Sequence, residues 1–218
     1  MDDFSFARLI DSTLLACDAT ESDITRHCKL AIKHHFITVA IGTAWITLAR
    51  QVLAGSDVGI DAPIGFPNGY STTETKVFET IDAFAKGALE ADMVINIGFL
   101  KSRRYEDLES EMKRFVQAAG GKTTKIILET YYLDETDIVE AVKMAKRAGA
   151  DFVKTSTGFA KEGVTLDNIR LMVKTAGDGI RVKASGGIRS REFADKLIEA
   201  GASRLGASNA HLLLGKDR

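Results

Sequence analysis

The sequence predicts a single α/β domain folded as a closed (β/α)8 barrel of the TIM type, with an additional helical region ahead of the first strand. Three observations carry that expectation. Eight short apolar segments alternate with helical ones over 218 residues, and alternation carried to eight within that length favours a closed barrel over an open doubly wound sheet. The apolar segments are rich in Val, Ile and Phe with little polar alternation, as parallel strands covered on both faces are. A module also recurs as a pattern: "KGALEADMVINIG", "RAGADFVKTSTG" and "EAGASRLGASN" each pass from a helical end through a small-residue break into a strand. Glycine just past a helix end supplies the left-handed cap that other residues resist.

The elements follow in order. "MDDFSFARLIDSTLL" leads into a weak first strand at 9–14. "TESD" at Thr20 opens a helix over 20–34, a capping side chain standing three residues before an acid. A strand at 37–41, a helix at 43–54 and a strand at 58–64 come next. "STTE" at Ser71 opens a helix over 72–87, followed by a strand at 92–97, a helix at 106–119 and a strand at 124–130. "DETD" at Asp134 opens a helix over 135–148, before a strand at 151–156. "TLDN" at Thr165 and "SREF" at Ser190 are looser caps for helices at 166–175 and 190–200. They flank a strand at 180–185 and precede a strand at 203–207 and a final helix at 208–214.

Bulk properties narrow the function classes. Hydrophobic residues make up 45% and charged residues 27%, the balance of a globular chain able to bury a large core without staples. Net charge is −1, so no global field favours nucleic acid or a membrane surface. No apolar run approaches the ~20 residues of a membrane span. The N-terminus opens with two aspartates and no basic region, which does not read as a secretory signal. Cys17 and Cys28 form no C-x-x-C pattern and read as reduced thiols, consistent with a cytoplasmic location. His27, His34, His35 and His211 have no metal-ligand spacing, so no bound metal is expected, and neither a P-loop nor a G-x-G-x-x-G is present. Trp45 and Phe99 read as packing residues, and "KSRRYED" as a solvated approach to a helix.

Two strands carry a charge that a core strand should not. "DFVKTSTGF" places Lys154, and "IRVKASGGIR" places Lys183, among apolar and small residues. Strand side chains alternate between the barrel interior and the helix layer. If Lys154 points inward, so do Phe152 and Ser156, and Val153 packs under helices. If Lys183 points inward, so does Ser185. The two strands are the sixth and seventh, and neighbouring strands lie about 4.8 Å apart. Burial and a nearby like charge each disfavour an ammonium. Lowering a lysine pKa from its usual ~10.4 by about three units takes roughly 4 kcal/mol and yields a neutral amine able to attack a carbonyl. The bland alternative is that both lysines snorkel to solvent from strand ends. Their shared position just before the C-terminal end, where barrel active sites lie, argues for chemistry. Asp92, opening "DMVINIG", is either a solvated acid outside the barrel or an inward counter-charge able to relay protons through water.

The junctions after the last two strands carry glycine. Gly186 and Gly187 in "SGGIRSREF", and Gly206 followed by Ser208 in "LGASNAHL", place backbone N–H groups beside helix starts. Loops after strands seven and eight of a barrel often hold a phosphate.

Together these segments resemble the deoxyribose-phosphate aldolases, class I aldolases on a TIM barrel. "DFVKTSTGF" is similar to the family's Schiff-base strand and "VKASGGIRS" to its second-lysine strand. "IGFPNG" with "TTETK", and "ADMVINIGFLKS", also match family segments, so the resemblance covers nearly the whole chain. It implies reversible cleavage of 2-deoxy-D-ribose 5-phosphate to D-glyceraldehyde 3-phosphate and acetaldehyde, with no cofactor. By position it implies Lys154 as the nucleophile, Lys183 as the group that lowers its pKa, and Asp92 as part of a proton relay. Asp11, Thr13 and Thr157 fall where the family contacts sugar hydroxyls or orders the lysines. Gly158, Gly186, Gly187, Gly206 and Ser208 fall in its phosphate loops. The expected partners are a phosphosugar and aldehydes, and a homodimer is expected from the resemblance alone. The chain departs from the pattern at Ser12, in the "GTAW" segment Gly42–Trp45, at Tyr131 and at Asn209. These departures leave open a related aldolase with a different or non-phosphorylated aldehyde. A barrel that binds a phosphorylated metabolite without chemistry, or an isomerase using Glu129 as base, are the competing classes.

Overall fold

In the computed structural model, which describes residues 1–215, the chain enters through a short helix α1 (Asp3–Ala7) capped by Asp2, whose carboxylate accepts from the Ser5 N–H at 2.8 Å. The strands are β1 (Ile10–Leu14), β2 (Thr38–Ile41), β3 (Gly59–Ile64), β4 (Glu90–Val94), β5 (Thr123–Ile127), β6 (Phe152–Lys154), β7 (Arg181–Ser185) and β8 (Arg204–Ala207). Each pairs in parallel with its neighbours in chain order, and β8 returns to β1, closing the barrel. Around it lie α2 (Glu21–His34), α3 (Ile46–Val52), α4 (Thr73–Lys86), α5 (Ile97–Lys101), α6 (Tyr105–Ala118), α7 (Glu135–Ala148), α8 (Leu166–Ala176) and α9 (Arg191–Glu199). The fold is the (β/α)8 TIM barrel that the alternation predicts, with α1 as the extra N-terminal helix. No helix among the described residues is long and apolar enough to cross a membrane.

Local sequence explains most helix starts. Thr20 and Asp23 form a reciprocal capping box, and Asp134, Thr165 and Ser190 each accept from the N–H three residues on. At α4 the cap is Thr72 rather than Ser71, because the Thr75 N–H reaches the Thr72 hydroxyl. The stretch expected as one helix over 43–54 divides into a 3-10 turn (Thr43–Trp45) and α3, and the last segment is a 3-10 turn (Ala210–Leu213). Helix α5 was not expected; Asn96 caps it by accepting from the Phe99 N–H at 3.1 Å. Strand β4 begins at Glu90, so Asp92 stands mid-strand instead of at its start. "KSRRYED" is not simply solvated, since Lys101 and Arg103 both pair with the buried Asp137. Trp45 and Phe99 do pack against the core.

Strand alternation divides the molecule into two interiors. Val39, Ile60, Ala62, Met93, Ile126, Val153, Val182 and Leu205 join the apolar layer between strands and helices. Their alternates, Asp11, Asp61, Glu90, Asp92, Lys125, Phe152, Lys154, Lys183 and Arg204, are also buried, but inside the barrel. An apolar shell therefore surrounds a charged axis.

Candidate active site

The strand register sets the charged axis. Lys154 and Lys183 are direct partners across β6 and β7, and Asp92 and Lys125 across β4 and β5. The Asp92 carboxylate stands between the two lysines, its Oδ2 accepting from Lys154 Nζ and from Lys183 Nζ at 2.7 Å each. Its other oxygen accepts from Lys125 Nζ, also at 2.7 Å. Lys183 reaches Asp61 at 3.1 Å and makes a close ion pair with Asp11. Lys125 reaches Asp61 at 3.0 Å and Glu90 at 2.7 Å. Arg204 closes the floor on Asp11 (2.6 Å) and Glu90 (3.0 Å), its guanidinium 5.3 Å from the Phe152 ring centre. Four cations thus face four carboxylates.

Position within that balance separates the lysines. Burial weighs against the ammonium of each. For Lys183, the carboxylates of Asp11, Asp61 and Asp92 outweigh it and hold the proton more tightly than usual. For Lys154, burial prevails: Asp92 opposes it, the Lys183 charge reinforces it, and the pKa falls below the ordinary lysine value. Lys154 is thus the lysine poised to lose a proton, while Lys183 keeps one. Burial would raise Asp92, yet Lys125, Lys154 and Lys183 hold it well below the usual carboxylate range. Asp61, buried beside Asp92, is pushed up to about 6.

Above the axis opens a cavity of about 480 Å³ whose lining includes Lys154, Thr13, Thr157 and Arg189. Gly158, Gly186, Gly187, Gly206 and Ser208 line the same cavity. Two of these glycines meet close approaches. A Cβ on Gly186, at φ +92°, would lie 3.2 Å from Gly163 Cα and Ser156 Cβ; one on Gly206 would lie 3.0 Å from Ser185 Cβ and 3.3 Å from Lys183 Cε. Gly206 thus leaves room for the Lys183 side chain. Of the residues expected at substrate, Asp11 is fully buried in the ion network and is absent from the cavity wall.

Comparison with known proteins gives this arrangement a family. The sequence profile of the "DeoC/LacD family aldolase" matches residues 7–216. The chain belongs to that aldolase family. Deoxyribose-phosphate aldolases of Bacillus mycoides (strain KBAB4) and Bacillus cereus (strain AH187) are each 51% identical over 205 residues, covering 94% of this chain and 92% of theirs. A putative deoxyribose-phosphate aldolase from Coccidioides immitis superposes with a TM-score of 0.95 at 39% identity, covering 98% of this chain and 85% of that one. The deoxyribose phosphate aldolase from Aeropyrum pernix, described as tetrameric, superposes at 0.91 with 32% identity, covering 97% and 90%. The protein is an aldolase, and therefore a lyase.

In this aldolase, sequence reasoning found Lys154, Lys183 and Asp92 but missed Lys125, Asp61, Glu90, Arg204 and the cavity-lining Arg189. Lys125 had an available signal: "TTKIIL" sets a lysine in an apolar strand just as "FVKTS" does. Asp11, Asp61 and Glu90 bring carboxylate oxygens within 4.8 Å of one another, a spacing compatible with a metal ion. The Lys125 ammonium lies 2.7 to 3.8 Å from all three and already supplies the positive charge there. Of the departures from the family pattern, Ser12 is buried and its carbonyl accepts from the His27 ring at 3.0 Å; Tyr131 stands edge-on to Tyr132, outside the lining of the Lys154 cavity.

Proposed function

We propose that this aldolase cleaves 2-deoxy-D-ribose 5-phosphate reversibly to D-glyceraldehyde 3-phosphate and acetaldehyde through a Schiff base on Lys154. The observation that carries the reading is the asymmetric pair of lysines on one Asp92 oxygen at the floor of a glycine-lined cavity. Neutral Lys154 attacks C1 of the open-chain sugar, and loss of water gives an iminium. A base takes the proton of the C3 hydroxyl, the C2–C3 bond breaks, and its electron pair flows into the iminium to form an enamine. Glyceraldehyde 3-phosphate departs, C2 of the enamine gains a proton, and hydrolysis frees acetaldehyde. Lys183 and Asp92, acting with a water, form the proton relay. The Lys183 charge also eases the loss of a proton from Lys154 by repulsion. The loops at Gly158, Gly186–Gly187 and Gly206–Ser208 hold the phosphate through backbone N–H groups, aided by Arg189. Asp11 orders Lys183 from below, while Thr13 and Thr157 meet sugar hydroxyls.

Borohydride trapping tests this. Incubation with deoxyribose 5-phosphate, reduction, digestion and mass spectrometry should place the adduct on Lys154. An adduct on Lys183 would reverse the two roles. None on folded, sugar-binding protein would leave a barrel that binds a phosphometabolite without chemistry.

A pH prediction follows from the lysine asymmetry. Lys183→Leu removes the like charge facing Lys154 and leaves Asp92 with one cation fewer. Both changes raise the Lys154 pKa, so less neutral amine exists at a given pH. The rate of imine formation should rise at a higher pH than in the wild type; an unmoved profile would show that burial alone sets the nucleophile.

A further inference from the structure

Glu129 follows β5 and stands at the start of a 3-10 turn (Thr130–Tyr132) in the left-handed region, at φ 55° and ψ 66°. That conformation disfavours a side chain with a Cβ, so surrounding contacts must hold it. The side chain is 2% exposed. Its Oε2 accepts from the Thr157 N–H at 3.1 Å and from the Thr157 hydroxyl in a short hydrogen bond. Oε1 is buried with no hydrogen-bonding partner among the described residues. The Thr157 oxygen in turn accepts from the Phe159 N–H at 3.0 Å.

A hydroxyl has one proton and two lone pairs. At Thr157 the proton is committed to Glu129 and one lone pair to Phe159. What remains for the Lys154 cavity, which Thr157 lines, is a single lone pair. Thr157 can therefore accept from a bound molecule but cannot donate to it. Glu129 also lines a neighbouring cavity of about 290 Å³ that shares Thr157 as a wall, and it does not line the Lys154 cavity, so it does not stand where a base on substrate would.

Building on the aldolase reading above, we infer that Glu129 is a positioning residue that fixes Thr157 as a one-way acceptor, so that the site selects an acceptor aldehyde bearing a hydroxyl donor over its deoxy analogue. A site built to pair with a hydroxyl rejects the analogue lacking it, because its own polar group is left unpaired.

The test runs the reaction in the synthetic direction, with acetaldehyde as donor and either glyceraldehyde 3-phosphate or 3-phosphooxypropanal as acceptor. The readout is the ratio of the two kcat/KM values. Glu129→Met removes the acceptor that fixes the Thr157 hydroxyl, so its lone pair is no longer held toward the cavity and the ratio should fall by about tenfold. Glu129→Gln presents an amide oxygen to the same two donors and should keep the ratio near the wild-type value. Should the Met variant fold poorly, Glu129→Asp, which withdraws the carboxylate by one methylene, should lower the ratio in its place. Equal slowing of both acceptors, an unchanged ratio in the Met or Asp variant, or a ratio lost equally in the Gln variant would each overturn the inference. Borohydride trapping of acetaldehyde on wild-type Lys154 keeps the two readings apart: no adduct there sinks the aldolase chemistry itself, whereas an adduct with an unmoved ratio sinks only the role of Glu129.

Discussion

Lys154→Ala is expected to lower turnover of deoxyribose 5-phosphate by roughly 10⁴-fold or more while leaving the fold intact. The activity half of that expectation rests on chemistry. Without the amine no covalent iminium forms, and the C2–C3 bond has no electron sink. Lys183 cannot substitute, because Asp11, Asp61 and Asp92 hold its proton. The stability half rests on where Lys154 sits. Among the described residues its one ion-pair partner is Asp92, which also pairs with Lys125 and Lys183 at 2.7 Å each, so two cations remain beside it after the substitution. Lys154 also lines the cavity rather than the floor of the axis. Steady-state kinetics and circular dichroism check both halves. Turnover near the wild-type rate would refute the Schiff-base mechanism; a collapsed spectrum would mean that Lys154 is a structural cation as well.

The same geometry explains why some of the site was legible in sequence and some was not. Lys154 and Lys183 stood out because each interrupts an apolar strand close to glycine loops, and two such strands in succession must lie side by side in a barrel. Helix caps at Thr20, Asp134, Thr165 and Ser190 were legible because capping is local: donor and acceptor lie three residues apart. The remaining ion network is not local. Arg204 meets Asp11 across a separation of 193 residues and Glu90 across 114, contacts that exist only once β8 closes on β1. Glu90 and Arg204 lie beside helix-end sequences, "GALEAD" and "GASRLG", where a charge ordinarily faces water. A strand drawn from its apolar residues alone therefore starts at 92, two residues after the actual start at Glu90, and makes Asp92 a strand-end acid. In sequence Glu129 reads only as a candidate base. Its actual contact, Thr157, depends on the chain turning sharply after both β5 and β6, a tertiary fact with no sequence spacing behind it.

Lys125→Met should produce the largest loss of stability of any single change on the charged axis. Lys125 has no access to solvent, and its ammonium lies 2.7 Å from Glu90, 2.7 Å from Asp92, 3.0 Å from Asp61 and 3.8 Å from Asp11. Methionine fills a similar volume, so the loss comes from charge: four buried carboxylates would face three cations. Removing one partner of a buried ion pair costs about 3–5 kcal/mol, most of it from the charge left behind. The pH dependence identifies that origin. Burial, with Asp92 beside it, already pushes Asp61 up to about 6 from the ordinary 3.8, and loss of the Lys125 charge should move it further up. A carboxyl whose folded pKa is raised binds its proton more tightly in the folded state than in the unfolded chain. Its favourable contribution is therefore present at low pH and lost as pH rises through the raised value. Urea denaturation should show a larger deficit for Lys125→Met at pH 8 than at pH 5, and Lys125→Met/Asp61→Asn should recover part of it by restoring the charge balance. A deficit independent of pH, unrelieved by the second substitution, would assign the role of Lys125 to packing. Its ammonium would then be no part of the balance that holds Asp92 ionised between the two lysines.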